Sequence, residues 1–123
     1  MLNEILKDFQ RAIERLEEVL GLEKTEIIRD SAIKRFELCF DLSWKSVKEL
    51  ARENGIECYF PKECLKAAFQ LKLINHDERW LQVVKDRNLT AHLYKEEMAE
   101  KIYQKLPEYL EMFKSLFKKL EIA

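Results

Sequence analysis

The shortage of glycine and proline is the feature that most constrains how this chain can fold. Only 2 glycines and 2 prolines occur in 123 residues, too few for the many turns of an all-β fold. Apolar residues recur at helical spacing from Leu2 to Leu20, with charged residues on the opposite face. The pattern predicts a first helix over residues 2–20. We expect Gly21 to end it, because glycine accepts the left-handed backbone conformation at little cost.

A second helix is expected from about Glu26 to Asn54, ending at Gly55. It is the longest element, and its aromatic side chains make it the expected spine of the core. Its apolar stripe consists of Ile33, Phe36, Phe40, Trp44, Val47 and Ala51.

Three further helices complete the predicted architecture. Pro61 begins the third, since the N–H that proline lacks would be unpaired at the first helical position. The fourth carries Trp80, Leu81, Val83 and Val84. The last runs from Glu96 to about Leu120, and Pro107 within it predicts a kink or a restart. The sequence therefore predicts an all-α, up-and-down bundle of four to five helices, in one domain covering residues 1–123.

Charge and cysteine content limit the possible functions. The 22 basic and 23 acidic residues give a formal net charge of −1, so no global field attracts nucleic acid or an anionic membrane, and any RNA contact must rest on a local patch. The cysteines, Cys39, Cys58 and Cys64, include no C-x-x-C pair, which predicts reduced thiols and argues against a zinc site. The sequence shows neither a signal peptide nor an apolar run of the roughly 20 residues that a membrane span needs. We therefore expect a soluble, cytoplasmic protein.

One polar cluster is not easily explained as the solvent-facing side of a helix: Arg87-Asn88-Leu89-Thr90-Ala91-His92-Leu93-Tyr94. Arginine is permanently charged, and its planar fork of donors matches phosphate oxygens. Histidine is the side chain best able to exchange a proton near neutral pH. Together, Arg87 and His92 would suffice for metal-free cleavage of RNA, while the Tyr94 hydroxyl could stack, donate a hydrogen bond or be modified.

The spacing of the pair supplies a geometric condition. On one continuous helix, side chains five positions apart point about 140° apart, so a regular helix would not aim Arg87 and His92 at one phosphate. The two side chains converge only if the helix breaks near His92, or if two copies meet about a two-fold axis. Arg87 and His92 could also simply favour a helix C-terminus through its dipole.

Other polar residues have simpler interpretations. Glu37, Asp41 and Lys45 sit four apart on one flank of the second helix, which predicts an exposed ion pair; the alternative is an acidic wall beside the arginine–histidine site. His76 is expected to be an exposed loop residue, and Asp77 to cap the fourth helix.

The cluster resembles the R-x4-H-x-Y motif of HEPN domains paired with minimal nucleotidyltransferases. The segment Phe36-Glu37-Leu38-Cys39-Phe40-Asp41-Leu42-Ser43-Trp44-Lys45 is similar to the second-helix signature of one branch, the nucleotidyltransferase substrate-binding protein family. Pro61-Lys62-Glu63, Ala67-Ala68-Phe69 and Trp80-Leu81 also look like that branch. The resemblance covers nearly the whole chain.

The resemblance implies a helical homodimer that binds a small nucleotidyltransferase encoded nearby. In related pairs the HEPN protein is a ribonuclease toxin and its partner the antitoxin. By motif position, Arg87 and His92 would be catalytic, Asn88 their polar companion, and Tyr94 the hydroxyl that receives AMP from the partner, blocking the RNA site by bulk and charge. No metal or cofactor is implied for this chain, since ATP and Mg would belong to the partner.

Three functional hypotheses follow. The first is a metal-independent endoribonuclease toxin inhibited at Tyr94. The second is a non-catalytic subunit that presents a substrate or nucleotide to the nucleotidyltransferase. The third is a structural dimer in which Arg87 and His92 only tie helix ends together.

Overall fold

Five α-helices and one short 3-10 helix make up the computed structural model of the protein, which describes residues 2–75, 78–92 and 95–123. The helices are α1 (Leu2–Leu20), α2 (Glu26–Glu53), α3 (Pro61–Gln70), α4 (Glu78–Leu89) and α5 (Glu96–Ile122), and the 3-10 helix spans Thr90–His92 between α4 and α5. No strand occurs among the described residues. The predicted all-α class is confirmed, and the predicted bounds of α1 and α2 agree with the observed ones to within one residue.

Helix α1 ends just before Gly21 as predicted, but the predicted backbone conformation of that glycine is wrong, and so is the restart offered as one alternative at Pro107. Gly21 follows α1, but its backbone is not left-handed; the glycine with a positive φ is Gly55, at 76°. There the Gly55 N–H donates to the Arg52 carbonyl and the Ile56 N–H to the Ala51 carbonyl, which closes the end of α2. In α5, the helix runs without restart through Pro107.

Helix α2 is the centre of the packing, as its aromatic stripe predicts, and it contacts each of the other four α-helices. The largest fully buried rings are Phe9, Phe36 and Phe113, from α1, α2 and α5 respectively. The Phe36 ring stacks on the ring of Tyr109 with centroids 5.6 Å apart, and the Phe9 and Phe113 rings meet edge to face at 6.2 Å. These contacts fix α1, α2 and α5 as a three-helix core, against which α3 and α4 lie. No helix within the described ranges is long and apolar enough to cross a membrane.

The prediction of three reduced cysteines is wrong for two of them. Cys58, just before α3, and Cys64, in its first turn, form a disulfide across a Cα–Cα distance of 5.2 Å, well within the range that a disulfide spans. A search for C-x-x-C pairs misses it, because the turn into α3 brings together residues six positions apart. Cys39 remains a buried free thiol. Burial raises the pKa of its thiol to about 12, so it has little thiolate character.

Candidate functional site

Helix α4 ends inside the polar cluster. Arg87 lies in its last turn, and α4 gives way to the 3-10 helix Thr90–His92. The Thr90 hydroxyl donates to the Arg87 carbonyl at 2.6 Å, which satisfies an acceptor that the end of the helix leaves free. The helix therefore breaks close to His92. This is one of the two alternative conditions under which the Arg87 and His92 side chains could point towards one phosphate.

Arg87 is held by two acids from α2. Its Nη1 donates to Glu37 Oε2 at 2.9 Å, while Nη2 and Nε donate to the two carboxylate oxygens of Asp41 at 3.2 and 3.3 Å. The contact with Asp41 is thus a bidentate fork, the geometry that arginine and carboxylate favour. Nη1 also donates to the Thr90 hydroxyl at 3.2 Å. Glu37, Asp41, Arg87 and Thr90 therefore form one hydrogen-bonded unit joining α2 to the end of α4.

This arrangement corrects the simpler interpretation of the α2 flank. Glu37 and Asp41 are not partners in an exposed ion pair with Lys45, because both acids bond across to Arg87. Lys45 Nζ instead lies 5.8 Å from the centroid of the Trp44 ring. The acidic residues therefore lie beside Arg87, as the alternative interpretation stated.

The charge balance around Arg87 is negative. One guanidinium faces two carboxylates, and one further cation, Lys34 Nζ, lies 4.0 Å from Glu37 Oε1. Of the five N–H groups of Arg87, the hydrogen bonds above use four, leaving one on Nη2 without an acceptor among the described residues. Arg87 could offer that donor to a phosphate, but the two acids would oppose the approach of an anion.

The structure describes only some of the other predicted site residues. Asn88 and His92 are exposed at the end of α4 and of the 3-10 helix. Tyr94, as well as His76 and Asp77, lies outside the described residues. Among the residues that the structure does describe, no three His, Cys, Asp or Glu side chains are grouped as metal ligands.

Asp86 is a buried contact of the site that the sequence analysis missed. Its side chain is 2% exposed and accepts hydrogen bonds from the Tyr109 hydroxyl at 2.6 Å, Gln82 Nε2 at 3.0 Å and Lys105 Nζ at 3.1 Å. The bonds from Tyr109 and Lys105 fasten α4 to α5 one residue before Arg87. Its sequence position could have indicated that Asp86 is buried, because it follows Val83 by three positions and so lies on the apolar stripe of α4.

A second missed cluster fixes the start of α5, directly after the motif. Arg29 of α2 is 4% exposed, and its guanidinium pairs with Glu96 at 2.6 Å, Glu100 at 3.1 Å and Asp30 at 3.0 Å. The hydrogen bond to Glu96 is the main reason that the pKa of Arg29 is raised, and the same bond lowers the pKa of the Glu96 carboxyl. The motif segment is therefore anchored on both sides, by Asp86 before it and by Arg29 after it.

Comparison with known proteins identifies relatives over nearly the whole chain. The family described as nucleotidyltransferase substrate binding protein like matches residues 4–122. A protein of Haemophilus influenzae named probable ribonuclease HepT is 30% identical over 84 residues, which are 64% of this chain. The match covers 58% of that relative's own length.

Solved structures share the fold. A protein from Thermus thermophilus superposes with a TM-score of 0.85 at 34% identity, over 91% of this chain and 98% of that one. A Haemophilus influenzae protein, described as revealing the fold of a substrate binding domain of a nucleotidyltransferase, gives 0.82 at 23% identity, over 94% and 98% of the two chains. The tri-AMPylated HEPN toxin of Shewanella oneidensis, solved in complex with its MNT antitoxin, gives 0.76 at 17% identity, over 99% and 97%. With its helical fold and a family match from residue 4 to residue 122, the chain belongs to the nucleotidyltransferase substrate-binding protein family.

Proposed function

We propose that this chain is the HEPN partner subunit of a minimal nucleotidyltransferase, and that it is a metal-independent endoribonuclease with Arg87 and His92 as catalytic residues. The observation that carries the proposal is the break of α4 at the motif, where Arg87 is fixed by Glu37 and Asp41 and His92 is exposed a few residues later. An arginine held by two acids has a defined direction, which a catalytic group needs. The similarity to a probable ribonuclease HepT supports the same activity.

The proposed reaction requires only proton transfer and charge stabilisation. The 2′-oxygen of a ribose forms a bond to the adjacent phosphorus as the bond from phosphorus to the 5′-oxygen of the next nucleotide breaks. The 2′-hydroxyl loses its proton and the 5′-oxygen gains one. His92 would handle one of these protons, and the free N–H of Arg87 would stabilise the charge that develops on the phosphate oxygens. Asn88 would act as a polar companion on the same exposed surface.

The direct test is cleavage of RNA by the purified, AMP-free protein. We expect cleavage that EDTA leaves unchanged, because no step depends on a divalent ion. Products are separated on denaturing gels, with the same oligonucleotide carrying 2′-O-methyl groups as the matched control, since it lacks the attacking hydroxyl. If the AMP-free protein cuts no RNA, or if EDTA abolishes cleavage, the proposed activity is wrong.

Inhibition by AMP transfer to Tyr94 is a second part of the proposal. The reaction would form a bond between the Tyr94 oxygen and the α-phosphorus of ATP, releasing pyrophosphate, with ATP and Mg bound by the partner nucleotidyltransferase. The added charge and bulk would block the RNA site. We expect the intact mass to rise by one or more AMP units after co-expression with the partner, and the Tyr94 share of that gain to be lost in Tyr94→Phe. A mass gain unchanged in Tyr94→Phe would place the modification elsewhere.

A non-catalytic substrate- or nucleotide-binding subunit is the second candidate function, and the negative charge balance at Arg87 favours it. Two acids beside the only arginine of the motif would weaken an interaction with RNA phosphate. This function predicts a stable complex with the nucleotidyltransferase, whose transferase activity falls when this subunit is removed. An unaffected transferase activity would exclude it. Both candidates are proposed to act as a homodimer.

A further inference from the structure

A basic groove lies between α1 and α2, on the side of α2 next to Arg87. Its volume is about 530 Å³, and its apolar lining residues are Ala12, Leu38 and Leu42. Four cations and one carboxylate complete the lining: Arg11, Arg15, Lys34, Arg35 and Asp8. The groove therefore concentrates positive charge in a chain whose net charge is −1.

Two of the four groove cations form no ion pair in the described part of the chain. Arg11 and Arg15 are exposed, and neither guanidinium forms an ion pair with any residue in the described part of the chain. Lys34 has one long contact, 4.0 Å to Glu37, and Arg35 donates to the Arg15 carbonyl at 2.7 Å and to Glu18 at 3.4 Å. Arg29, by contrast, is buried among three carboxylates and serves the fold. Arg11 and Arg15 are thus available to an anionic ligand, and Lys34 has only its one long contact to lose.

The groove is continuous with the candidate site. Lys34 and Leu38 precede Glu37 and Asp41 by three positions each, so the two pairs are neighbours on the surface of α2. Glu37 and Asp41 are the residues that hold Arg87. A chain of phosphates lying in the groove would therefore pass beside the Arg87 contact.

We propose that the groove between α1 and α2 binds the backbone of single-stranded RNA and so supplies the affinity that the acidic surroundings of Arg87 cannot. The proposal rests on the proposed ribonuclease function. Arg11, Arg15 and Lys34 bind phosphates, and the apolar lining residues Ala12, Leu38 and Leu42 contact unpaired bases or riboses. Duplex RNA would not present its bases to such a surface, because they are stacked and paired.

The test measures binding separately from cleavage. A fluorescent 2′-O-methyl RNA oligonucleotide is titrated with the full chain, and anisotropy gives the dissociation constant at several salt concentrations. We expect Arg11→Glu/Arg15→Glu to weaken binding by about 10- to 100-fold and to reduce the slope of log K against log salt by about 1.4, since each lost phosphate contact on a single strand contributes roughly 0.7. Arg11→Lys/Arg15→Lys should keep most of the affinity. Neither arginine has an ion pair to lose among the described residues, so the fold should not change.

Lys62→Glu/Lys66→Glu is the matched control. It makes the same change in charge beside a different groove, which Leu65 and Phe69 line, and it should alter affinity less than twofold. Equal binding by wild type and Arg11→Glu/Arg15→Glu, no binding by wild type, or an equal loss in the control would overturn the proposal. Parallel assays on cleavable RNA keep the two proposals apart. Groove-dependent binding without cleavage would refute only the ribonuclease activity, whereas cleavage with binding that ignores the groove would refute only this inference.

Discussion

His92→Ala is expected to lower RNA cleavage by about 10²- to 10⁴-fold while leaving the fold intact, because a positioned general acid or base typically contributes a factor of that size. His92 is exposed at the end of the 3-10 helix and lies outside the hydrophobic core, so its removal should cost little stability. The measurement is the first-order rate of oligonucleotide cleavage by the AMP-free protein. Thermal unfolding of the variant, followed by circular dichroism, should match that of the wild type.

The control for this variant is Lys85→Ala. Lys85 is an exposed residue of α4, and its loss should leave the cleavage rate unchanged. Arg87→Ala is a poorer first test, since it would leave Glu37 and Asp41 facing each other without their cation, and any loss of activity would be mixed with a loss of stability. A His92→Ala variant that cleaves as fast as wild type would rule out His92 as a catalytic residue and favour a binding subunit.

The helices could be predicted from sequence because the signals are local. Apolar periodicity determines α1, α2 and α5, and Gly55 ends α2 through its own backbone conformation. At Gly21 the position of the helix end was predicted correctly, but a left-handed backbone was not needed to end the helix. The Gly21 N–H still donates to the Glu17 and Glu18 carbonyls. Pro107 did not interrupt α5, and its side chain is exposed on the outside of the bundle.

The site could be predicted only in part, because its contacts are not local. The motif pointed to Arg87, yet the residues that hold it, Glu37 and Asp41, are 50 and 46 positions away. Helical spacing within α2 gave these acids a local partner in Lys45, whereas in the folded chain Arg87 lies closer. Asp86 was missed for a similar reason, since only the packing of α4 on α5 shows that this carboxylate is buried.

Asp86→Ala is expected to destabilise the protein by about 2 to 3 kcal/mol, since it would leave the buried Tyr109 hydroxyl without its acceptor. Lys105 is partly exposed and can return to water, so it should add little to the loss. Urea denaturation at pH 7 gives the free energies of unfolding. In a double-mutant cycle with Tyr109→Phe, the two losses should overlap by about 1 to 2 kcal/mol. Fully additive losses would show that the contact does not stabilise the fold.

The pH dependence of the same contact gives a signed test. Burial, and then the hydrogen bond to Asp86, raise the pKa of the Tyr109 hydroxyl above its ordinary value of about 10. Above that pH the unfolded chain gives up the proton while the folded chain keeps it, so the folded state binds more protons and its stability falls as pH rises. The contribution of Tyr109 is therefore complete below about pH 10 and declines above it. The difference in unfolding free energy between wild type and Tyr109→Phe should shrink as pH rises above about 10. A difference that stays constant there would mean that burial and the contact with Asp86 do not raise the pKa of Tyr109 in the folded state.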